Sequence, residues 1–196
     1  MTGDIIGTMK IQLANPRGFC AGADLTEFDT TPSQSISRMV RWERDIWGLF
    51  LSIKKPLIAA LHGHIVGSGV EIACLCDFRI ASEDAVFSMP EASLAMVPAA
   101  GGTQTLPRVI GQGNALEMLI ANPKIGAWEA GRIGLVNKIV PVEKLIKESD
   151  ILAQNLSLRR PEALTAIKTA VLEGIDMSLE QGLGLENRLA ARLITR

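Results

Sequence analysis

The chain has 196 residues, 47% of them hydrophobic and 21% charged, a globular composition that excludes a predominantly disordered protein. With 20 basic and 21 acidic residues the net charge is −1, which excludes a strongly electrostatic nucleic-acid partner or membrane surface. The length suits one α/β body.

In chain order, Met9 to Ala14 alternates apolar and polar positions and predicts a strand. Asn15-Pro16-Arg17-Gly18 reads as a turn, and Phe19 to Leu25 is a run of small residues. After Thr31-Pro32-Ser33, a helical stripe of Ile36, Met39, Val40, Trp47, Phe50 and Leu51 ends before Lys54-Lys55-Pro56. Pro56 to Leu61 predicts a buried strand, His62 to Gly69 a glycine-rich turn, Val70 to Asp77 a short helix and Phe78 to Ala81 a further strand. Together these make a βαβ unit. Ala85 to Met89 is another strand, closed by Pro90 with Glu91 directly behind it. Pro98 to Thr103 reads as a second small-residue loop. Helices are predicted over Asn114 to Ala121, Ala127 to Ile133 and Glu143 to Leu156. A further helix starts at Pro161, with Leu164, Ile167, Val171 and Ile175 as its apolar stripe, and a last one starts near Ser178.

Several function classes drop out at this level. Cys20, Cys74 and Cys76 are odd in number and read as reduced thiols of a cytosol-like compartment, and they offer too few ligands for zinc. Met1-Thr2-Gly3-Asp4 shows no secretory signal, and Pro56 to Cys76 carries too many polar and glycine positions for a membrane span. His62 and His64 have no further histidine to complete a metal site. Ser68 lacks the Gly-x-Ser-x-Gly context of a nucleophile elbow. Trp42, Trp47 and Trp128 build no aromatic–basic platform, and Arg188, Arg192 and Arg196 read as a solvated or subunit-facing helix. The turn Gly63-x-x-x-Gly67-x-Gly69 resembles a dinucleotide cradle, but it lies mid-chain with Glu71 behind it. The short-chain dehydrogenases with that spacing use a catalytic Tyr, and this chain has none.

Glu71 and Glu91 are the candidates for chemistry. A carboxylate in apolar surroundings gains affinity for its proton and can act as an acid near neutral pH. Two such groups across a pocket can give and take protons on one water. The plainer alternative is a helix N-terminal charge at Glu71 and a turn residue at Glu91. The small-residue loops Cys20 to Asp24 and Val66 to Gly69 can aim backbone N–H groups at one oxygen, or can be two ordinary tight turns.

In combination these segments resemble the crotonase family, the enoyl-CoA hydratase/isomerase superfamily. The resemblance lies in Arg17-Gly-Phe-Cys-Ala-Gly-Ala-Asp-Leu25, Lys55-Pro-Leu-Ile-Ala-Ala-Leu-His-Gly63, Gly67-Ser-Gly-Val-Glu-Ile-Ala-Cys-Leu-Cys-Asp77, Phe87-Ser-Met-Pro-Glu91, Pro98-Ala-Ala-Gly-Gly-Thr-Gln104 and Gly134-Leu-Val-Asn-Lys138. It implies an α/β, crotonase-like (ClpP/crotonase) spiral of ββα units with a C-terminal helical region. Residues 1–140 would form the core with the acyl-CoA site, and residues 141–196 a helical region for oligomerisation. The implied activity is an enoyl-CoA hydratase-like lyase of fatty-acid metabolism acting on an acyl-CoA thioester. No cofactor is implied, because coenzyme A is part of the substrate. By position, the N–H groups of Ala23 and Ser68 would form the oxyanion hole, Ser68 standing where members usually carry Gly. Glu91 would be the principal acid/base and Glu71 its partner. Ala21, Asp24, Leu25 and Gly67 would contact the substrate and its CoA arm, and Pro90, Pro98 and Ala99 would line the water side, with Ala99 in place of a common Gly. The resemblance also implies a homotrimer or a dimer of trimers, in the cytoplasm or the mitochondrial matrix. Members begin with a further strand-bearing segment and end with a further helical tail, so the chain reads as truncated at both ends. The alternatives are a double-bond isomerase or dehydratase of the same superfamily, or an inactive assembly subunit.

Overall fold

The computed structural model describes residues 3–5, 8–12, 17–22, 45–98 and 100–194. A five-stranded sheet runs in the order β1 (Gly3–Ile5), β2 (Thr8–Ile11), β3 (Leu57–Leu61), β5 (Phe78–Ser82) and β8 (Lys138–Val140). Only β1 is antiparallel to its neighbour; Met9 pairs with Leu57, Ile58 with Phe78 and Ile80 with Lys138, all in parallel register. A smaller sheet holds β4 (His64–Val66), β6 (Val86–Ser88) and β7 (Ile125–Gly126).

The period of a strand explains the layering. In β3 the odd-numbered residues Leu57, Ala59 and Leu61 join one apolar cluster, while Ile58 and Ala60 join another on the opposite face. All five are fully buried, as expected for a parallel strand covered on both sides. The larger cluster also holds Phe19, Ile65, Phe87, Leu106, Met118 and Leu135. The smaller one holds Ile80, Val140, Leu145 and Ala153.

The helices are α1 (Ile46–Ser52), α2 (Ser68–Leu75), α3 (Gly102–Ile110), α4 (Gln112–Leu116), α5 (Ala127–Arg132), α6 (Leu145–Ser157), α7 (Pro161–Gly174) and α8 (Leu179–Ile194). A π turn, Glu117–Ala121, prolongs α4. Twice the chain runs from the large sheet to the small one and then into a helix: β3, β4, α2 and β5, β6, α3. The first passage turns at Gly63, whose φ is +54° and where a Cβ would sit 2.6 Å from the Arg17 carbonyl oxygen.

The βαβ unit, the strand around Val86–Ser88 and the later helices match the sequence reading. The strand read over Met9 to Ala14 is Thr8–Ile11, and residues 13–16 lie outside the described residues. The stripe from Ile36 to Leu51 falls mostly outside them too, with Ile46–Ser52 helical. Two expectations need correction. The glycine-rich turn His62 to Gly69 contains β4, and the second small-residue loop gives way at Gly102 to α3, which holds Pro107 in its interior. The outer helices α7 and α8 pack on each other, with Gly182 close enough to Gly174 that a Cβ would lie 3.6 Å from its oxygen. Neither helix contains a buried residue.

Candidate active site

The first loop reaches the start of α2 by backbone pairing. Cys20 bridges Ile65 in parallel, with Cys20 N–H donating to His64 O at 3.3 Å and Val66 N–H to Cys20 O at 2.9 Å. This sets exposed Ala21 and then Gly22 beside the turn into α2. At Gly22, φ is +91°, and a Cβ would lie 3.2 Å from Val66 O and 4.0 Å from Ser68 N. The two small-residue loops therefore converge. Ala23, Asp24 and Leu25 follow directly and, like Ala99, lie outside the described residues.

Gly67 caps α2 with φ +52° and donates its N–H to Ser88 O at 2.9 Å, which fixes the helix start against β6. Its carbonyl accepts from Val70 at 2.8 Å and Glu71 at 3.2 Å. Ser68 N–H lies in the first helical turn, where N–H groups have no intrahelical acceptor and are available to an anion.

Glu71 is only 2% exposed. Its Oε1 accepts from Gly102 N–H at 2.8 Å and Ala100 N–H at 3.2 Å, at the amide end of α3. Gly102 has to be glycine for this: a Cβ there would meet Glu71 Oε1 at 2.8 Å, Glu71 Cγ at 3.1 Å and Pro98 Cβ at 3.0 Å. Pro98 thus packs on the strut that aims Glu71.

Glu91 stands in the first turn of a 3₁₀ helix, Pro90–Leu94, which Pro90 opens and Ala95 closes in the left-handed region with φ +54°. The bare face of Gly67 looks onto it, and a Cβ on Gly67 would lie 2.7 Å from Glu91 Oε1. Its Oε2 is buried without a hydrogen-bond partner. Burial pushes the Glu91 carboxyl above its ordinary value, a bond from its own backbone opposes this, and the charge of Glu71 adds to the rise. The two carboxyls therefore sense each other across the end of α2. One has its near oxygen fixed by main-chain donors, and the other offers an unpartnered oxygen and a strengthened hold on a proton. Such a pair can position and activate one water and move its protons.

Other groups play different parts. Among the described residues no cluster of His, Cys, Asp or Glu could hold a metal ion, and no helix is long and apolar enough to cross a membrane. Burial pushes the Cys74 and Cys76 thiols up to about 12, so both stay neutral. His64 is exposed and His62 half-buried, and Arg188 and Arg192 are exposed on α8. The sequence reading missed the Ala100 and Gly102 donors, buried Arg79, and Asn122, whose Nδ2 donates to Ser93 Oγ at 3.1 Å and ties the end of the π turn to the turn bearing Glu91. The paired glycines 101 and 102 were the available signal for the donors.

Comparison with known proteins gives a consistent answer. Residues 11–196 match the enoyl-CoA hydratase/isomerase family. The chain is 38% identical over 172 residues to YngF of Bacillus subtilis, covering 88% of this chain and 66% of that protein. It is 36% identical over 170 residues to the crotonyl-CoA hydratase of Syntrophomonas wolfei, covering 87% and 65%. The crystal structure of an enoyl-CoA hydratase from Bacillus anthracis superposes with a TM-score of 0.90 at 36% identity, covering 95% of this chain and 72% of that one. The chain thus spans about two thirds of the length of these curated relatives.

Proposed function

The chain belongs to the enoyl-CoA hydratase/isomerase family, and we propose that it adds water to the double bond of an α,β-unsaturated acyl-CoA thioester. The observation that carries this reading is the facing of Glu71, fixed at Oε1 by two N–H groups, and Glu91, with its unpartnered Oε2, across Gly67. The water oxygen bonds to Cβ as the π electrons move to the thioester, forming an enolate. The N–H groups of Ala23 and Ser68 hold the enolate oxygen, and each such donor contributes roughly 3–4 kcal/mol to the barrier reduction. Glu91 takes the proton from water and returns one to Cα, while Glu71 orients the water. The enolate collapses to the 3-hydroxyacyl thioester with every proton accounted for. No cofactor takes part, since coenzyme A belongs to the substrate.

Ala21, Asp24, Leu25 and Gly67 are assigned to the substrate and its CoA arm, and Pro90, Pro98 and Ala99 to the water side. Residues 1–140 form the catalytic unit and 141–196 the assembly unit of this reading. The exposed apolar side chains of α7, its C-cap and α8 support assembly as a homotrimer or a dimer of trimers: Ile167 is 62% exposed, Val171 61%, the C-cap Ile175 63% and Leu183 51%. The free cysteines Cys20, Cys74 and Cys76 favour the cytoplasm, or the mitochondrial matrix, as the compartment.

The test is loss of the conjugated-thioester absorbance of crotonyl-CoA on incubation with the purified chain. Glu91→Gln is expected to slow turnover by on the order of 10²–10⁴-fold. Unchanged turnover in that variant overturns the acid/base assignment. Product analysis separates hydration from double-bond migration, and folded, self-associated protein without turnover on any enoyl-CoA supports an assembly subunit instead.

A further inference from the structure

The carbonyl end of α2 and the turn that closes α5 direct backbone oxygens at one buried cation. Arg79, on β5, is 8% exposed. Its Nε donates to Leu135 O at 2.7 Å and its Nη1 to Cys76 O at 2.5 Å. Cys76 is the C-cap of α2. Leu135 lies just past α5, in a Schellman end: Leu135 N–H returns to Ala130 O at 2.8 Å and Gly134 N–H to Gly131 O at 3.1 Å, with Gly134 at φ +82°. The backbone of Arg79 is clamped as well, since its N–H donates to Asn137 Oδ1 at 2.8 Å and its carbonyl accepts from Asn137 N–H at 2.9 Å.

A buried charge normally has a carboxylate beside it. Among the described residues none of the ion pairs includes Arg79. The nearby carboxylate of Asp77 is paired instead with Lys168, at 2.7 Å. The Cys74 and Cys76 thiols are neutral at ordinary pH. The carbonyl end of α2 therefore carries a net positive charge where a helix alone would present a partial negative one. α2 has eight residues and a length of about 12 Å, so its two ends lie close enough for each to weaken the field of the other.

We propose that Arg79 is an electrostatic counterweight for α2: seated on the carbonyl end, it strengthens the stabilisation of negative charge at the amide end, where Ser68 N–H and Glu71 stand. The inference rests on the reading that Ser68 N–H faces the thioester oxygen. Arg79 touches no reacting atom in this scheme and is a positioning residue of electrostatic kind. The guanidinium and the developing enolate each stand beyond an end of α2, so at a separation of roughly 17 Å and the effective dielectric of a protein interior this unit charge changes the rate by about fivefold.

The experiment measures the thioester carbonyl stretch of bound crotonyl-CoA by isotope-edited infrared spectroscopy, in a Glu91→Gln background that leaves the substrate unhydrated. The same substitutions are assayed for kcat and KM with Glu91 intact. The carbonyl band should lie below its position in free crotonyl-CoA. Arg79→Met should reverse part of that shift and lower kcat about fivefold with KM within about twofold, and Arg79→Lys should restore both. Lys168→Met provides an independent arm that leaves the bonds of Arg79 in place: it uncovers the Asp77 carboxylate and should move the band in the same direction as Arg79→Met. A full shift retained in Arg79→Met, or an equal loss in Arg79→Lys, overturns the counterweight and leaves the oxyanion reading standing. Where Arg79→Met does not fold, an unmoved band in Lys168→Met overturns it. An unshifted band with Arg79 and Lys168 both intact overturns the oxyanion reading, and this inference with it.

Discussion

The sheet core and the outer helical layer are built on opposite principles. From Leu57 to Leu61 every side chain is fully buried, and strands and helices cover both faces. From Pro161 to Ile194 no helical residue is buried. The outer pair is held to the body by polar links: Lys168 donates to Asp77 Oδ2 at 2.7 Å and to Lys55 O at 3.1 Å, and Arg108 pairs with Asp176 at 3.0 Å. Burial of apolar surface dominates folding energetics, and an exposed ion pair such as Arg108–Asp176 adds little. The core is therefore specified by its own packing, and the layer is left with apolar surface still to bury. The candidate carboxylates belong to the first region, and the surface proposed for assembly to the second.

The sharpest test of this contrast is truncation on each side. Phe87→Ala is expected to destabilise the protein by about 3–5 kcal/mol, whereas Ile167→Ala in α7 should change the stability of the monomer by no more than about 0.5 kcal/mol. Chemical denaturation at low protein concentration measures both, and equal losses would break the comparison. Gly102→Ala comes next. Its Cβ must displace Glu71 Oε1 or Pro98, so a loss of about 1–3 kcal/mol is expected, together with a fall in crotonyl-CoA turnover. A variant with full turnover would show that Glu71 does not depend on its strut. In the layer, Val171→Glu should shift sedimentation toward the monomer while leaving the melting temperature at high dilution unchanged. A lower melting temperature there would mean that α7 is part of the core after all.

The smallest effect follows pH. Burial and the charge of Glu71 raise the Glu91 carboxyl. The folded chain then binds that proton more tightly than the unfolded chain does. The resulting stability is present below the unfolded value and is lost as pH rises through the folded one. Glu91→Gln should therefore be more stable than the parent at neutral pH, with the gain vanishing below the ordinary carboxylate range. Melting curves between acid and neutral pH check the sign.

Much of the core was readable because period and burial coincide in it. Pro56 to Leu61 and Phe78 to Ala81 are apolar runs of strand length, and both are strands. Glu71 and Glu91 stood out as carboxylates in apolar or proline-closed contexts. Main-chain chemistry was harder to read. The donors at Ala100 and Gly102 have no side-chain signature, and the glycines and Pro107 that favour a loop reading conceal α3. β4 was hidden for a similar reason, since Gly63 and Gly67 bracket only three residues that pair with β6. Arg79 carries no signal in the sequence, because nothing local announces the two carbonyls that hold it.

The order of strands in the large sheet also bears on how the chain is made. β3, β4, α2 and β5 follow one another without a long excursion, so the parallel pair Ile58–Phe78 can form soon after Ser82 has been synthesised. The partner of β5 on its other side is β8, whose register sets Ile80 against Lys138. Until Val140 emerges from the ribosome, that edge of β5 stays open, and an open parallel edge is slow to fill and prone to foreign pairing. The turn bearing Glu91 and the helix end that aims Glu71 are both produced during that interval. Changing translation speed between Ser82 and Lys138 is therefore expected to change the yield of correctly closed protein while leaving its final stability alone.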